Sequence, residues 1–215
     1  MNKTFAKPID CTYICNRMVS LFDKNRQMRK LKLQVQMTID GFISGQNGEM
    51  DWMEFPWTED ILNYVREITE PIDTIVLGRK LAEGFIAHWA NVAKDPNNPE
   101  YEGGVKFAST QKIVFTKTLD KSIWKNTEIA NGDLVEEITN LKNMQGQDII
   151  AYGGGEFVSA LIKNKLIDEL HLFVNPAAIG IGMPIFKELS KMQKFNLDDV
   201  QKFDCGIVVM VYKPI

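Results

Sequence analysis

The stretch that decides the fold is Asp148-Ile149-Ile150-Ala151-Tyr152-Gly153-Gly154-Gly155-Glu156-Phe157, a short apolar run that stops at three consecutive glycines. The run predicts a buried strand at residues 148–152, and the pattern after the glycines predicts an amphipathic helix at residues 156–166. Glycine lets the backbone approach a ligand closely, and the free N–H groups and dipole of a helix N-terminus attract an anion. We therefore interpret residues 153–157 as an anion-binding turn. Glycines that serve only tight packing where the helix begins are the alternative.

A second strand also leads into a helix through residues that suit an anion. A dinucleotide fingerprint of the G-x-G-x-x-G kind would require glycine at position 158, where Val158 stands, so the common Rossmann arrangement is not predicted. The apolar run of residues 72–77 is followed by Gly78-Arg79-Lys80. Two cations in the first turn of a helix oppose its dipole, which favours a bound phosphate as the compensating charge. Solvation of Arg79 and Lys80, or their pairing with Glu83, is the alternative.

A third strand end carries hydroxyl groups and an ammonium group. Thr116-Lys117-Thr118 follows the strand predicted at residues 112–116. This set suits a phosphate, and in particular an extra phosphate on a ribose. Because open α/β sheets bind ligands at the carboxyl ends of their strands, the three turns together indicate an extended ligand with several phosphates.

The remaining hydrophobic patterns predict alternating strands and helices. Further strands are predicted at residues 31–37, 127–130, 169–175, 195–201 and 207–212, and further helices between Thr58 and Pro71 and at residues 79–88 and 134–144. Glycines flank a mobile loop at residues 40–48, and a long surface loop is predicted from residue 94 past Gly103-Gly104. The pattern indicates an α/β domain with a mostly parallel sheet covered on both faces, in which the last two strands form an antiparallel pair at one edge.

The composition excludes several classes of protein. The 215 residues include 25 Lys and Arg against 28 Asp and Glu, a net charge of −3, whereas nucleic-acid binders are usually strongly basic. No apolar run approaches the roughly 18 residues that a membrane-spanning helix needs. The three cysteines and two histidines have no zinc-ligand spacing, so no metal site is predicted. Sparse cysteines in odd number suit a reducing cytoplasm, and a small molecule is the predicted partner.

The first 27 residues differ from the rest of the chain. They contain five basic and two acidic residues and show no clear periodicity, so residues 28–215 carry a net charge of −6. Asn16 and Arg17 interrupt the apolar stretch that a secretory signal would need. We predict that residues 1–27 form an N-terminal extension that need not be ordered, and that residues 28–215 form one domain.

From about residue 28 to residue 215, the order and spacing of several short motifs resemble one known superfamily. The matching stretches are Met37-Thr38-Ile39-Asp40-Gly41-Phe42-Ile43, Asp51-Trp52, residues 73–80, residues 112–119, residues 153–157, residues 166–170, and Pro176, Gly180, Gly182, Pro184, Ile185 and Phe186. These motifs resemble the dihydrofolate-reductase-like superfamily, specifically the riboflavin-biosynthesis reductase branch that forms the C-terminal domain of deaminase-reductase proteins. The resemblance implies a three-layer αβα fold and a homodimer.

The resemblance also implies a cofactor and a set of site residues. The cofactor is NADPH, whose adenosine 2'-phosphate side is held by Gly78, Arg79, Lys80, Thr116, Lys117 and Thr118, and whose pyrophosphate is held by Gly153, Gly154, Gly155, Glu156 and Phe157. Met37 and Ile43, together with Thr38, lie beside the nicotinamide. Thr38, Asp40 and Trp52 contact the substrate. The catalytic proton donor is not identified, and its candidates are Asp40, Glu59 and Asp60.

The expected function follows from the same resemblance. It is hydride transfer from NADPH to a small heterocyclic substrate, most specifically the reduction of 5-amino-6-(5-phosphoribosylamino)uracil in riboflavin biosynthesis. Dihydrofolate reduction is an alternative of the same class. A nucleotide-binding protein that keeps the fold without catalysis is an alternative of another class.

Overall fold

The computed structural model describes residues 28–53 and 56–215, so the N-terminal extension predicted at residues 1–27 lies outside the described residues. The strands are β1 (Leu31–Thr38), β2 (Ile72–Gly78), β3 (Gln111–Phe115), β4 (Thr127–Ala130), β5 (Asp148–Tyr152), β6 (Glu169–Asn175), β7 (Phe195–Lys202) and β8 (Val208–Pro214). The helices are α1 (Glu59–Thr69), α2 (Arg79–Val92), α3 (Tyr101–Ser109), α4 (Leu134–Asn143) and α5 (Gly155–Lys163), with a short 3-10 helix at Asp51–Met53. Most of these elements follow the sequence-based prediction.

The strands form one sheet in the order β4-β3-β2-β5-β1-β6-β8-β7. The first six strands in this order are parallel, whereas β8 pairs antiparallel with both β6 and β7. This confirms the predicted α/β class, with a mostly parallel sheet and an antiparallel pair formed by the last two strands. The carboxyl ends of all six parallel strands therefore lie at one edge of the sheet.

Helices cover both faces of the sheet, which confirms the three-layer αβα arrangement. The odd-numbered side chains of β1, from Leu31 to Met37, join a large apolar cluster with buried side chains of α4 and α5. On the opposite face, α2 and α3 bury one apolar cluster over β2, β3 and β5, and α1 buries a separate cluster over β6 and β8. Because these two clusters are separate, the even-numbered side chains of β1 lie between them.

The long surface loop predicted from residue 94 past Gly103-Gly104 is wrong in its second half, because residues 101–109 form α3. A Cβ atom at Gly104 would lie 2.8 Å from the backbone nitrogen of Ala93, at the end of α2. Gly104 therefore allows α3 to pack closely on α2, and two adjacent glycines were mistaken for a loop. Helix α5 ends at Lys163, earlier than the predicted residue 166, and Lys165 adopts a left-handed conformation with φ of 55°.

A buried lysine of β3, Lys112, lies against the C-terminal end of helix α3. The Nζ atom of Lys112 donates hydrogen bonds of 2.6–3.2 Å to the backbone carbonyls of Phe107, Ala108 and Thr110. Burial of Lys112, which is 1% exposed, lowers its pKa to about 8. The three carbonyl groups at the negative end of the helix compensate this desolvation, so Lys112 closes the helix and anchors it to β3.

Candidate cofactor and substrate site

The three turns singled out in the sequence lie at the carboxyl edge of the sheet, on adjacent strands. Because β3, β2, β5 and β1 are neighbours in that order, residues 116–118, 78–80, 153–157 and 38–43 follow one another along the edge. An extended ligand laid across this edge would meet each turn in sequence. The structure therefore brings the predicted cofactor residues together, although they are distant in the chain.

Helix α5 begins without a side-chain cap. Its N-cap residue is Gly154, and no side chain accepts a hydrogen bond from the first N–H groups of the helix. The glycines also pack tightly, since a Cβ atom at Gly155 would lie 1.9 Å from Met183 Sδ and one at Gly153 would lie 3.0 Å from Val35 Cγ2. The tight packing of the alternative interpretation is therefore present, together with the uncapped helix N-terminus that an anion-binding turn requires.

Helix α2 begins beside α5 and is also uncapped by any side chain. Its N-cap residue is Gly78, and a Cβ atom there would lie 2.8 Å from Phe157 Cβ, so the two helix N-termini approach each other. Arg79 pairs with Glu83, and Lys80 Nζ lies 3.3 Å from Glu156 Oε2. These pairs are partly or largely exposed and contribute little to stability, so both cations remain available to a stronger anion.

The end of β3 forms a compact hydroxyl turn. Thr116 Oγ1 accepts a hydrogen bond of 3.0 Å from the backbone N–H of Thr118, and the two hydroxyl oxygens are 3.2 Å apart. The Lys117 ammonium group donates to the carbonyls of Asn131 and Gly132, both at 2.6 Å. Lys117 thus lies across the turn that follows β4, at the outer end of the row of candidate cofactor residues.

The end of β1 is tied to the segment after β6 by Asp40. The Thr38 hydroxyl donates to Asp40 Oδ1 at 2.5 Å, and Asp40 Oδ2 accepts from the backbone N–H groups of Ile179 and Gly180 at 3.1 and 2.7 Å. These hydrogen bonds, led by that from Thr38, lower the pKa of Asp40. Asp40 is therefore an ionised anchor between two loops, an arrangement that does not suit a proton donor.

A second set of contacts joins the same two loops. The backbone N–H of Ile43 donates to the carbonyl of Met183 at 3.0 Å, and that of Met183 donates to the carbonyl of Ser44 at 2.9 Å. A Cβ atom at Gly182 would lie 2.3 Å from the Ser44 carbonyl oxygen, so only glycine permits this approach. The buried Ile43 and the glycine-bearing loop are thus held against the residues before Ile185, a long-range pairing that the sequence pattern did not indicate.

The other two candidate proton donors lie at the start of α1. Asp60 accepts hydrogen bonds from the Thr58 hydroxyl and from the backbone N–H of Asp204, which ties α1 to the β7–β8 turn. These contacts lower the pKa of Asp60, with the Thr58 hydroxyl as the largest cause. Glu59 is exposed and pairs with Arg66. Both carboxylates therefore make contacts within the fold, Asp60 with backbone and hydroxyl donors and Glu59 with a surface cation.

Polar side chains occupy the gap between the two apolar clusters on the α1 and α2 face. Gln34 lies beside His171 in the β1–β6 register, and Gln36 and Thr38 continue the row toward the carboxyl edge. Within the described residues, Gln34 Oε1, Gln36 Nε2 and His171 Nε2 are buried and make no hydrogen bond. The buried indole N–H of Trp52 also has no acceptor there. This row was not predicted from the sequence, because polar residues that alternate with apolar ones along a strand usually lie on an exposed face.

Toward the amino ends of β1 and β6, the charged side chains next to the polar row form ion pairs. Tyr64 on α1 shares a hydrogen bond of 2.8 Å with His171 Nδ1, and Glu169 lies 3.7 Å from His171 Nε2. The neighbouring His171 ring and the Lys30 ammonium group lower the pKa of Glu169 to about 2, against the effect of burial. Lys32 pairs with Asp148 at 3.2 Å. The charged groups at this end of the row therefore have partners of their own.

Two further observations concern the described part of the chain. No helix of residues 28–53 and 56–215 is long and apolar enough to cross a bilayer. In the same residues, no group of three or more His, Cys, Asp or Glu side chains is placed to hold a metal ion.

Comparison with protein families gives one match that covers most of the chain. The model of the RibD C-terminal domain family matches residues 29–209. Among curated proteins, YyaP of Bacillus subtilis (strain 168) is 30% identical over 190 residues, which covers 87% of this chain and 96% of YyaP.

Comparison with solved structures supports the fold. The diaminohydroxyphosphoribosylaminopyrimidine deaminase/5-amino-6-(5-phosphoribosylamino)uracil reductase of Thermotoga maritima superposes with a TM-score of 0.64 at 19% identity, covering 95% of this chain and 61% of that chain. Dihydrofolate reductase from Enterococcus faecalis, solved in complex with NADP(H) and RAB-propyl, superposes with a TM-score of 0.52 at 20% identity, covering 86% of this chain and 96% of that chain. The fold is therefore dihydrofolate-reductase-like.

Proposed function

The chain belongs to the RibD C-terminal domain family, and from this premise we propose that it is an NADPH-dependent oxidoreductase acting on a small heterocyclic substrate. The proposed reaction is of the 5-amino-6-(5-phosphoribosylamino)uracil reductase type. One observation carries the proposal: the uncapped N-termini of α2 and α5 meet at adjacent strand ends, with Arg79 and Lys80 beside them. Such a site suits a pyrophosphate and a further phosphate.

The row of turns along the carboxyl edge supports the orientation proposed for the cofactor. Residues 153–157 would hold the pyrophosphate, and Arg79, Lys80 and residues 116–118 would hold the adenosine 2'-phosphate side. The nicotinamide would then lie toward the end of β1, beside Met37, Thr38 and Ile43. When bound, NADPH supplies the hydride.

The residues of the protein would bind, orient and enclose the reactants. The loop after β1 is held to the segment after β6 by Asp40 and by the backbone pairing at Ile43 and Met183. This pairing would keep water from the end of β1 during hydride transfer. Since hydrogen bonds hold Asp40 and Asp60 in the ionised form, we propose that neither donates the proton.

A second candidate function is nucleotide binding without catalysis. It is favoured by the hydrogen bonds that engage Asp40 and Asp60 within the fold, because these two candidate proton donors are then occupied. Dihydrofolate remains the alternative substrate of the same reaction class. The homodimer and the cytoplasmic location stay predictions from the sequence.

The cofactor proposal is tested by measuring the binding of NADPH and NADH through quenching of tryptophan fluorescence. We expect NADPH to bind more tightly, because only NADPH carries the 2'-phosphate. The variant Arg79→Ala should lose at least about tenfold in NADPH affinity and change little toward NADH, because one charge-assisted contact is worth roughly 1.5–3 kcal/mol. Arg66→Ala is the matched control, since Arg66 also pairs on the surface but lies on α1.

Equal binding of the two nucleotides, or equal losses in Arg79→Ala and Arg66→Ala, would contradict the assignment of the 2'-phosphate to this edge. Catalysis is tested separately, by following NADPH oxidation with aminouracil ribosides, pterins and quinones. Saturable turnover of any of them excludes the non-catalytic alternative.

A further inference from the structure

Two glutamines of β1, Gln34 and the half-buried Gln36, each carry a buried side-chain atom that makes no hydrogen bond with the described residues. Gln34 is 7% exposed, and its Oε1 atom accepts no hydrogen bond from the described residues. Gln36 lies two positions further along the same strand face, and its buried Nε2 atom donates none. A buried polar atom without a partner costs free energy, and more than nine in ten such groups in proteins are satisfied. Two buried polar atoms without partners on one strand face therefore need an explanation.

A neighbouring side chain fixes the orientation of Gln36. Asn175 Nδ2 donates to Gln36 Oε1 at 2.8 Å, and the same amide lies 3.3 Å from the carbonyl oxygen of Met37 and 3.0 Å from that of Phe173. The acceptor end of Gln36 is thus used within the fold, so its donor end is the one left free. Asn175 is 2% exposed and acts as a positioning residue for Gln36.

The free atoms form a defined hydrogen-bonding pattern. Gln34 offers an acceptor and Gln36 offers a donor, which together complement a ligand edge that carries one N–H group and one carbonyl group. Both side chains are uncharged, and the nearest cation on the same strand face, Lys32, is paired with Asp148. The pattern thus suits a neutral edge better than a phosphate or a carboxylate.

The location of the pair agrees with a ligand that enters from the carboxyl edge. Gln36 precedes Met37 and Thr38, where the nicotinamide is proposed to lie, and Gln34 is one step deeper. The row lies between the apolar cluster of α1 and that of α2 and α3. A ring inserted between the two clusters would have apolar walls and an amide floor, as ligand pockets commonly have.

We propose that Gln34 and Gln36 are the specificity-determining residues of the substrate site, and that they bind the N–H and carbonyl groups of a cyclic amide in the substrate ring. This inference rests on the proposed function for the identity of the site, and it adds the residues that select the substrate. It predicts that recognition of the ring depends on an unsubstituted ring N–H.

The experiment compares the binding of two uracils to the full chain by calorimetry, with and without NADP⁺. The probes are 5,6-diaminouracil and 5,6-diamino-1,3-dimethyluracil, which lacks both ring N–H groups. The variants Gln34→Met and Gln36→Met keep the length of the side chain and remove its polar atoms. Gln201→Met, on the exposed strand β7, is the matched control.

We expect the unmethylated probe to bind at least about tenfold more tightly to the unchanged protein, since a site built for an N–H group rejects a ligand that lacks it. Each of Gln34→Met and Gln36→Met should weaken its binding roughly tenfold, and Gln34→Met should also reduce the preference between the probes. Gln201→Met should change neither. The melting temperature of Gln34→Met should equal or exceed that of the unchanged protein, because this substitution removes an unpartnered buried atom. Gln36→Met also removes the acceptor of the Asn175 hydrogen bond, so it should melt somewhat earlier.

Equal affinity for the two probes would overturn the inference, as would a Gln34→Met variant that melts earlier or fails to fold, since a structural role for the Gln34 amide would then explain its burial. These outcomes are distinct from a failure of the proposed function. Loss of the NADPH preference would remove the reductase assignment and leave the preference for the ring N–H intact. Loss of the ring preference would leave NADPH binding and the Arg79 effect unchanged.

Discussion

The two ends of the parallel strands differ in how their polar groups are used. At the amino end, the charged side chains are paired with one another in four ion pairs: Arg29–Asp73, Lys30–Glu169, Lys32–Asp148 and Lys142–Asp168. At the carboxyl end, the turns contain glycines and hydroxyl groups, and the N-cap residues of α2 and α5 are glycines, which have no side chain to cap the helix. The charged side chains at the amino end thus have partners within the fold, whereas the backbone N–H groups that begin α2 and α5 at the carboxyl end have no side-chain acceptor.

Arg29 shows how complete the amino end is. The residue is 6% exposed. Its guanidinium group donates hydrogen bonds to Asp73, to Thr74 Oγ1 at 2.7 Å, and to the backbone carbonyls of Leu141 and Gln147. A single side chain thereby joins β1, β2, α4 and the start of β5. Arg79, by contrast, makes one surface pair, in agreement with the proposal that the carboxyl end binds the cofactor while the amino end stabilises the fold.

The largest expected effect is at the amino end, in the variant Arg29→Met. Removing the guanidinium group leaves a carboxylate and several backbone carbonyls without their donor, so the free energy of unfolding should fall by about 3 kcal/mol. NADPH affinity of the folded fraction should stay unchanged. Chemical denaturation and nucleotide binding measure the two quantities. A large loss of NADPH affinity with unchanged stability would reverse the roles assigned to the two ends.

The next effect is a pH dependence at the same end. The pKa of Glu169 in the folded protein is about 2, below its ordinary value of 4.5, so its ionised form stabilises the fold above pH 4.5. This contribution, of the order of 2–3 kcal/mol, should be lost as the pH falls from about 4.5 through 2. Unfolding measured across that range should show a smaller decline in Glu169→Gln. Parallel curves for the two proteins would contradict the ion-pair network.

At the carboxyl end, Gly155→Ala should affect binding more than stability. The new methyl group would displace Met183 from the start of α5, where the pyrophosphate is proposed to bind. We expect roughly a tenfold loss of NADPH affinity, equivalent to about 1.4 kcal/mol. The stability should change little, because alanine favours the helix by up to about 1 kcal/mol and offsets the displaced contact. Gly84→Ala, in the exposed part of α2, is the control.

The smallest expected effect is in Asp40→Asn, which separates positioning from proton donation. The amide oxygen can still accept from the backbone of residues 179 and 180, so NADPH affinity should be unchanged and turnover should fall only a few-fold. Amide hydrogen exchange at Ile179 and Gly180 should become faster. A loss of turnover of 100-fold or more, roughly the least expected for removing a general acid, would instead assign Asp40 a catalytic role.

Periodicity sufficed for most of the fold, and it failed where glycine was ambiguous. The runs that became β1, β2, β5 and β6 are short, apolar and bounded by turn residues, so local sequence identifies them. Gly103-Gly104 has the same local appearance as a loop, but its glycines serve a helix–helix contact. That distinction depends on residues of α2, which no local pattern contains.

The candidate site likewise contains residues that the local sequence identifies and residues whose role depends on the tertiary structure. The glycine and cation turns at residues 78–80, 116–118 and 153–157 carry their chemistry in consecutive residues, and the order of a parallel sheet places them side by side. The amides of Gln34 and Gln36 could have been noticed, because glutamine is uncommon on a strand with apolar neighbours on both sides. Their burial without partners follows only from the separate positions of α1 and α2.

The sequence by itself determined the alternation of strands and helices, the composition of the turns and the family, because these depend on neighbouring residues and on motif order. The tertiary structure alone decided which carboxylates are used within the fold, which helices lack caps, and which polar atoms of β1 are left without partners. Those properties depend on which distant groups meet, as Asp40 meets Gly180 and Asn175 meets Gln36. A local sequence pattern does not show which residues that are distant in the chain come into contact.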